Sequence, residues 1–340
     1  MIDKLVFAID SHAAGEPCRI LLGPFVWKPF KTMFEKKEYF LRHYDDVRKA
    51  LILEPHGHDN MFGSVLCEPC DSRADFGIFF IESAGILNMC GHGTIATTTA
   101  LIYLGIINTD GKDEASVVYD TPAGLVFATA KLCNDKVKSV SFRNVPSFLY
   151  KRDCSVSLPQ YGEIKFDISF GGSFFAAVPV EQFGLEINVK NTHLLTEIGM
   201  QLKDEINHSY RVQHPTKQID TVDLISLYSL SENNRAIHSC VVFGAGQIDR
   251  SPCGTSTCAM TAMMCAKGLI GIGDEIVSRS IIGTEFKTKA VENIQFENFD
   301  AIIPEITGSG YVMGIQQFIV AGDDPLKNGF SLSVHYNDTD

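Results

Sequence analysis

The chain has 340 residues, enough for two domains of moderate size, and its 45% hydrophobic and 21% charged residues are typical of a globular protein. Its 41 acidic and 29 basic residues give a net charge of -12. This charge argues against nucleic acid or an anionic membrane as partner and favours a small-molecule substrate. The opening MIDKLVFAIDSH has acids in and beside a short apolar run, so we expect neither a leader peptide nor a membrane span. The ten cysteines are expected to be reduced thiols of a cytoplasmic protein.

Short β-type runs bounded by turn residues recur along the chain and predict a largely antiparallel β structure with few helices. In chain order, strands are expected at KLVFAID, FGIFFIES, SVVYDTPAGLVFATAKL, SVSFRNVPSFLY, KFDISFGGSFFAAV, HSCVVFGAG and GYVMGIQQFIVA. The spacing of apolar residues predicts four helices, at Glu35 to Leu51, Thr94 to Leu104, Asn191 to His208 and Thr255 to Lys267.

Two of these predicted helices begin with a similar motif. The segments CGHGTIA, from Cys90, and CGTSTCA, from Cys253, share four of seven residues, and each cysteine is followed 15 residues later by a glycine, Gly105 or Gly268. A glycine at that place is typical of a helix C-cap. The pattern of turn, cysteine, helix and glycine therefore occurs twice and predicts a duplicated lobe.

A cysteine directly before a helix faces the unpaired amide hydrogens of the first turn and the positive end of the helix dipole. From this position we expect the pKa of each thiol to be lowered, so that thiolate is accessible at neutral pH. The same amides bind anions such as a carboxylate. Two such thiols can act on one carbon, one removing a proton and the other delivering a proton to the opposite face. The pattern thus favours inversion of a stereocentre next to a carboxylate.

The sequence resembles the proline racemase family, which also contains hydroxyproline 2-epimerases and trans-3-hydroxyproline dehydratases. The motifs that carry the resemblance follow in the order of the family: DSHAAGEPCRI, HGHDNMFG, MCGHGTIA, DTPAG, DISFGGSFFA, DRSPCGTSTCA, SIIGTEF and ITGSGYVMG. They cover nearly the whole chain.

The resemblance implies an α+β fold like that of diaminopimelate epimerase, with two pseudo-symmetric lobes, each a mostly antiparallel barrel-like sheet around a central helix. The first lobe is expected to comprise residues 1–150 and 312–340 and the second 151–311, with the active site in the cleft between them. The resemblance further implies a homodimer and a reaction that needs neither a cofactor nor a metal.

The resemblance also implies the roles of individual residues. Cys90 and Cys253 match the two proton-transfer bases, and His92 and Asp249 match the residues that orient the thiols. The backbone amides of Gly91, His92, Gly254 and Thr255 are expected to hold the substrate carboxylate, and Phe62 and Phe243 to enclose the substrate ring.

Proline and 4-hydroxyproline both remain possible substrates at this point. The apolar Phe62 and Phe243 favour proline, because a buried hydroxyl without a partner costs roughly 1 to 3 kcal/mol. His56 and Ser173 depart from the residues common in the family, arginine and asparagine, and each offers a partner for a hydroxyl. Dehydration is less favoured, since the dehydratases have a hydroxyl residue where this chain has Cys90.

Two other classes of function compete with this interpretation. A cysteine hydrolase would use Cys90 as nucleophile and His92 as base. We expect residues two apart at a helix start to make contact rarely, and this function leaves Cys253 without a role. An amino-acid binding protein without activity would leave both thiols without a role.

Overall fold

The computed structural model describes residues 2–332. Within this range the chain forms two compact units. The first runs up to Phe142 and resumes at Gly308, and the second comprises Arg143–Thr307. The boundaries expected from the sequence, at 150/151 and 311/312, fall inside the strands Ser147–Leu158 and Gly310–Ala321. The units therefore separate a few residues earlier, ahead of these strands.

The first unit consists of strands around one helix, with a second helix packed outside. Its elements are β1 (Ile2–Ala13), β2 (Glu16–Gly23), α1 (Met33–Ile52), β3 (Phe62–Cys67), β4 (Phe76–Glu82), β5 (Ile86–Leu87), α2 (Gly91–Tyr103), β6 (Glu114–Thr121), β7 (Gly124–Cys133) and β8 (Lys136–Arg143), joined by the C-terminal strand β18 (Gly310–Ala321).

The second unit repeats this order of elements. They are β9 (Ser147–Leu158), β10 (Gly162–Phe170), β11 (Phe174–Pro179), α3 (Thr192–Ser209), β12 (Val222–Leu230), β13 (Ala236–Phe243), β14 (Gln247–Ile248), α4 (Gly254–Ala266), β15 (Ile276–Arg279), β16 (Glu285–Phe296) and β17 (Phe299–Gly308). Two short 3-10 helices, Val180–Phe183 and Val189–Asn191, precede α3.

Strand pairing confirms the predicted duplication. In the first unit β1 pairs antiparallel with β18 and β2, β2 pairs parallel with β3, and β4 pairs antiparallel with β3 and parallel with β6. The second unit has the same pattern for β10 with β9 and β11, for β11 with β12, and for β13 with β12 and β15. The β17–β9 pairing, with Ala301 opposite Phe148, closes the second sheet into a barrel. The parallel pairs were not predicted, since they depend on the return of the chain through a helix.

Helices α2 and α4 are the central helices of the two units. Every residue of α2 from Gly91 to Ile102 is buried, as is every residue of α4 from Gly254 to Met264. A helix with small or apolar residues on all sides is stable only when protein surrounds it. Buried hydroxyl groups join each helix to its barrel wall, at 2.9 Å from Thr98 to Tyr119 in α2 and at 3.1 Å from Thr257 to Ser278 in α4.

The predicted glycine caps of the central helices are confirmed. Gly105 and Gly268 follow α2 and α4 with φ of 71° and 69°, a left-handed conformation that favours glycine. Each donates to the carbonyl three residues before it at 2.9 Å, and the next residue donates to the carbonyl five residues before it. This is the Schellman arrangement in both units. The helices start earlier than expected, at Gly91 and Gly254, because the glycines of the motif lie in the first turn.

Helices α1 and α3 occupy corresponding places between two parallel strands of each unit. Helix α1 begins two residues before and ends one residue after its predicted range, and α3 is shifted by one residue. Differences of this size are common at helix termini. The apolar side of α1 contributes Phe40, Val47 and Leu51 to a core with Phe79. No helix in residues 2–332 combines the length and the apolar character needed to cross a membrane.

We predict that Gly171→Ala destabilises the second unit. A Cβ at Gly171 would lie 2.2 Å from the Thr255 carbonyl oxygen and 2.6 Å from the Ala259 nitrogen, both backbone atoms of α4. The resulting shift of strand or helix should reduce the free energy of unfolding by about 1–3 kcal/mol, measured by urea denaturation. Gly85→Ala is the matched control, because its Cβ would meet only Glu82 Oε1 at 3.9 Å. Equal stability of the two variants would contradict the close contact.

Candidate active site

Cys90 is the N-cap residue of α2. Its backbone is extended, with φ -148° and ψ 126°, and its Sγ accepts a hydrogen bond from the Gly93 amide at 3.4 Å. The thiol is buried, with 7% of the residue exposed. Gly93 is required here by packing, since a Cβ would lie 2.5 Å from the ring of Phe80. The sulfur therefore lies at the positive end of the helix, as the motif predicts.

His92 lies against the Cys90 thiol. Its Nδ1 is 3.1 Å from Cys90 Sγ, and its ring packs edge-on against Phe62 with 4.4 Å between ring centroids. Burial lowers the pKa of His92 to about 3, while a hydrogen bond to the Pro17 carbonyl acts in the opposite direction. At neutral pH the imidazole is neutral, with one donor and one acceptor nitrogen. Because the donor is used on Pro17, the acceptor remains for the Cys90 thiol.

Cys253 occupies the corresponding position before α4, but its backbone is different. Its φ is 57° and its ψ 102°, a left-handed conformation that is unfavourable for a residue with a Cβ. Its Sγ lies 3.6 Å from the hydroxyl of Thr255. The Cys253 side chain accepts no capping hydrogen bond from the first turn of α4. The nearby Ser256 amide nevertheless acts to lower the pKa of the thiol.

Asp249 and Cys253 form a coupled buried pair. Burial raises the pKa of the Asp249 carboxyl to about 6, against hydrogen bonds from Ser251 and Cys253 that lower it. Burial and the nearby Asp249 raise the pKa of the Cys253 thiol well above its ordinary value. At neutral pH the carboxylate is ionised and accepts a hydrogen bond from the protonated thiol.

The expectation of a lowered thiol pKa is therefore wrong for Cys253. The helix N-terminus does favour the thiolate, but complete burial and the charge of Asp249 outweigh this effect. The sequence contains the helix start and the acid, but burial of both groups follows only from the barrel around them.

One argument against a cysteine hydrolase is also wrong. The sequence suggested that His92, two residues after Cys90, would rarely reach its thiol, whereas the two side chains are in contact at 3.1 Å. The contact forms because the backbone of Cys90 is extended and Cys90 precedes the first turn of α2. Its side chain therefore points toward the side chain of His92, the second residue of the helix. What still argues against the hydrolase is Cys253, which has its own acidic partner.

The predicted ring-binding residues lie close to the cysteine of their own unit. Phe62, 2% exposed, lies at the start of β3 and contacts His92. Phe243, at the end of β13, belongs to an apolar cluster with Cys253, Phe175 and Ala259. The Phe62 ring thus provides apolar surface beside the imidazole that contacts Cys90, and the Phe243 ring provides it in the cluster around Cys253.

His56 and Ser173, the two departures from the family pattern, have local contacts. The His56 ring packs edge-on against Phe318 at 5.5 Å, and the His56 carbonyl accepts a hydrogen bond from Arg19 at 2.9 Å. The carbonyl of half-buried Ser173 accepts from the Gly171 amide at 3.1 Å, within the turn between β10 and β11.

Two contributors to the architecture of the site were not predicted. Arg19 forms a double hydrogen bond with Asp10 and donates to the Leu51 carbonyl, thereby joining β1, β2 and the end of α1. Ser251 bonds to Asp249 and to the Cys253 amide. Both residues lie inside motifs that carry the family resemblance. Their positions in those motifs could have identified them from the sequence.

All ten cysteines are free thiols. Within residues 2–332 no group of three or more His, Cys, Asp or Glu side chains has an arrangement that could hold a metal ion.

A sequence profile described as Proline racemase matches residues 8–331. The chain belongs to the proline racemase family. Within this family it is 47% identical to the proline racemase of Clostridioides difficile over 97% of this chain and 98% of that protein. Identity to the Trypanosoma cruzi proline racemase A is 42%, over 97% of this chain and 82% of that protein. Trans-3-hydroxy-L-proline dehydratase of Bacillus cereus is 35% identical over 97% and 99% of the two chains.

Solved structures of the proline racemase family have the same fold. A hydroxyproline epimerase from Agrobacterium vitis, with bound trans-4-hydroxy-L-proline, matches with a TM-score of 0.92 and 34% identity over 98% of both chains. A PhzF-family protein from Bacillus anthracis, at 14% identity, matches with a TM-score of 0.58 over 93% of this chain and 100% of that one, a likeness of fold alone. The predicted fold class is thus confirmed.

We predict a specific pH dependence of stability from His92. The folded-state pKa, about 3, lies below the ordinary 6.5, so the unfolded chain takes up a proton on this residue first as pH falls. The stability of the wild type relative to His92→Gln should therefore decline between about pH 6.5 and pH 3. Urea denaturation at pH 7, 5.5 and 4 measures this difference. His193→Gln, at a side chain that is 85% exposed, is the control. A constant difference for His92→Gln would show that this imidazole is not buried neutral.

Proposed function

We propose that the chain is a cofactor-independent proline racemase, which interconverts L- and D-proline by proton transfer between Cys90 and Cys253. The observation that carries the proposal is that each unit has a buried thiol at the start of a buried helix, in contact with a side chain that can accept a hydrogen bond. For Cys90 this side chain is His92, and for Cys253 it is Asp249. Sequence identity of 42–47% to named proline racemases supports the same reaction.

The reaction exchanges one proton at the α-carbon. A thiolate on one face takes the α-hydrogen and becomes a thiol, and the electron pair of the C–H bond remains on the substrate. A thiol on the other face then delivers its hydrogen to the α-carbon and becomes a thiolate. The configuration of the α-carbon is then inverted, and the two cysteines have exchanged their protonation states. In this form the enzyme can act on the opposite isomer.

The unequal partners of the two thiols suit such an exchange. The Gly93 amide, which donates to Cys90 Sγ, and the positive end of α2 favour a thiolate at Cys90. Cys253 rests as a thiol beside the ionised Asp249, because burial and that charge raise its pKa. We infer that the free enzyme starts with Cys253 as the proton donor and Cys90 as the base.

The carbanion next to a carboxylate needs stabilisation of its charge. The amides of Gly91, His92, Gly254 and Thr255 belong to the first turns of α2 and α4, where N–H groups have no partner within the helix. We propose that they bind the substrate carboxylate and its growing charge. Such preorganised donors in a site without water are typically the largest contribution to catalysis of this kind.

Proline is the proposed substrate and 4-hydroxyproline the alternative. Phe62 and Phe243, beside His92 and Cys253, offer apolar surface and no partner for a ring hydroxyl. The alternative is supported by the likeness to the epimerase with bound trans-4-hydroxy-L-proline. Dehydration of trans-3-hydroxyproline ranks below both, because Cys90 occupies the position where the dehydratases have a hydroxyl residue. We also propose a cytoplasmic location, supported by the free thiols, and a homodimer, supported by the family resemblance.

Substrate choice can be measured by proton NMR in D2O. The purified protein is incubated with L-proline and, in parallel, with trans-4-hydroxy-L-proline, and loss of the α-proton signal is followed. We expect faster exchange with proline, with formation of D-proline. Faster exchange with hydroxyproline would retain the two-cysteine chemistry but overturn the assignment of the ring pocket. Exchange with neither, in protein whose thiols titrate as reduced, would refute the proposed function.

Single cysteine variants test the two-base mechanism. Cys90→Ser and Cys253→Ser should each reduce the rate of racemisation by about 10²–10⁴-fold, the usual contribution of a general acid or base. Cys133→Ser, at an exposed cysteine, is the matched control and should retain full activity. Circular dichroism of each variant verifies folding. If Cys253→Ser kept its rate of racemisation while Cys90→Ser lost it, the two-base mechanism would be refuted.

A further inference from the structure

The two units differ in the segment that leads into the cysteine. In the first unit only residues 88 and 89 separate β5 from Cys90, whereas in the second unit residues 249–252 separate β14 from Cys253. The short strands and the helices that follow them otherwise correspond. The second unit therefore has two additional residues next to a proposed catalytic thiol.

Ser251 is the centre of hydrogen bonding in this longer segment. Its hydroxyl donates to Asp249 Oδ1 at 2.7 Å, and its amide donates to the same oxygen at 2.8 Å. The Cys253 amide in turn donates to the Ser251 hydroxyl oxygen at 3.1 Å. Ser251 is 2% exposed and Asp249 is 5% exposed, so water does not compete for these bonds. One hydroxyl thus bonds both to the carboxylate and to the backbone of the cysteine.

These bonds hold Cys253 in a conformation that it would not adopt readily. Its φ of 57° costs energy for a residue with a Cβ and persists only where the surroundings enforce it. Cys90 needs no such restraint, because its backbone is extended with φ -148°. The residue two positions before Cys90, Asn88, accepts a hydrogen bond from Lys37 Nζ at 3.0 Å. The serine-centred bonding is a property of the second unit.

We propose that Ser251 is a positioning residue for the second proton-transfer group: it fixes the Asp249 carboxylate and the Cys253 backbone together, and so sets the direction of the Cys253 thiol. The proposal rests on the proposed function for its catalytic consequence. The geometric part of the proposal is that Ser251 affects Cys253 and not Cys90. This difference can be measured without any substrate.

The first experiment compares thiol reactivity in Ser251→Ala and the wild type. Iodoacetamide labelling at several pH values, followed by peptide mass spectrometry, gives separate rates for Cys253 and Cys90. Without the Ser251 hydroxyl, the ionised Asp249 carboxylate loses one hydrogen-bond donor and holds the proton of the Cys253 thiol more strongly. We expect the pH profile of Cys253 labelling to move by about one pH unit to the alkaline side, with no change for Cys90. Equal change of both cysteines, or no change, would overturn the proposal.

Kinetics provide the second readout. Ser251→Ala should reduce kcat for racemisation at least about tenfold with KM changed less than about twofold, because positioning of a reacting group affects the transition state more than binding. Ser251→Thr retains the hydroxyl and should restore most of the rate. If Ser251→Ala does not fold, Ser251→Cys, a weaker donor of similar size, replaces it in the comparison with Ser251→Thr. Equal loss in the threonine variant would overturn the role of the hydroxyl.

Ser169→Ala is the matched control. Ser169 is a buried serine of the same unit whose hydroxyl has no hydrogen-bond partner in the described part of the chain. Its removal should leave the labelling profile of Cys253 and kcat unchanged. An inactive wild type with an altered Cys253 profile in Ser251→Ala would refute the proposed function alone. An active wild type with an unaltered profile would refute the positioning role alone.

Discussion

The burial of a complete helix inside each barrel is the constraint on which the rest of the structure depends. Small and hydroxyl-bearing residues on all sides of α2 and α4 allow the barrel strands to approach from every direction. Inside such a barrel the first-turn amides are the polar groups that the helix itself leaves unsatisfied. A cysteine placed there, with glycines that admit a ligand, gains both an electropositive position and exclusion of water. Reactivity and packing therefore have the same origin.

Duplication gave two such sites, and their differences determine how each thiol behaves. Cys90 is extended, caps its helix and contacts a neutral imidazole. Cys253 has positive φ and contacts a buried carboxylate. The proposed exchange of protons needs one acid and one base in the resting enzyme. The different side chains beside the two thiols, His92 and Asp249, provide this difference between acid and base. The two barrels themselves need not differ. The segment before Cys253, two residues longer than the segment before Cys90, is a further difference between the units.

Much of the architecture was predictable because it depends on local patterns. The cysteine motif, the apolar helix and the glycine cap repeat with the same spacing, and both caps have the predicted left-handed glycine. The parallel pairs β2–β3 and β11–β12 were not predictable in this way, since each joins strands separated by a helix. The contact of His92 with Cys90 was misjudged, because it depends on the backbone angles of the cap residue, which residue types alone do not specify.

The sequence by itself determined the family, the duplicated unit and the glycine caps of the central helices, because these follow from residue types at fixed spacing. Only the tertiary structure decided the protonation of the site. Burial makes His92 neutral, raises the pKa of Asp249 to about 6 and keeps Cys253 protonated. Desolvation depends on every strand around a group, so a pKa of this kind belongs to the folded barrel and cannot be assigned to a motif.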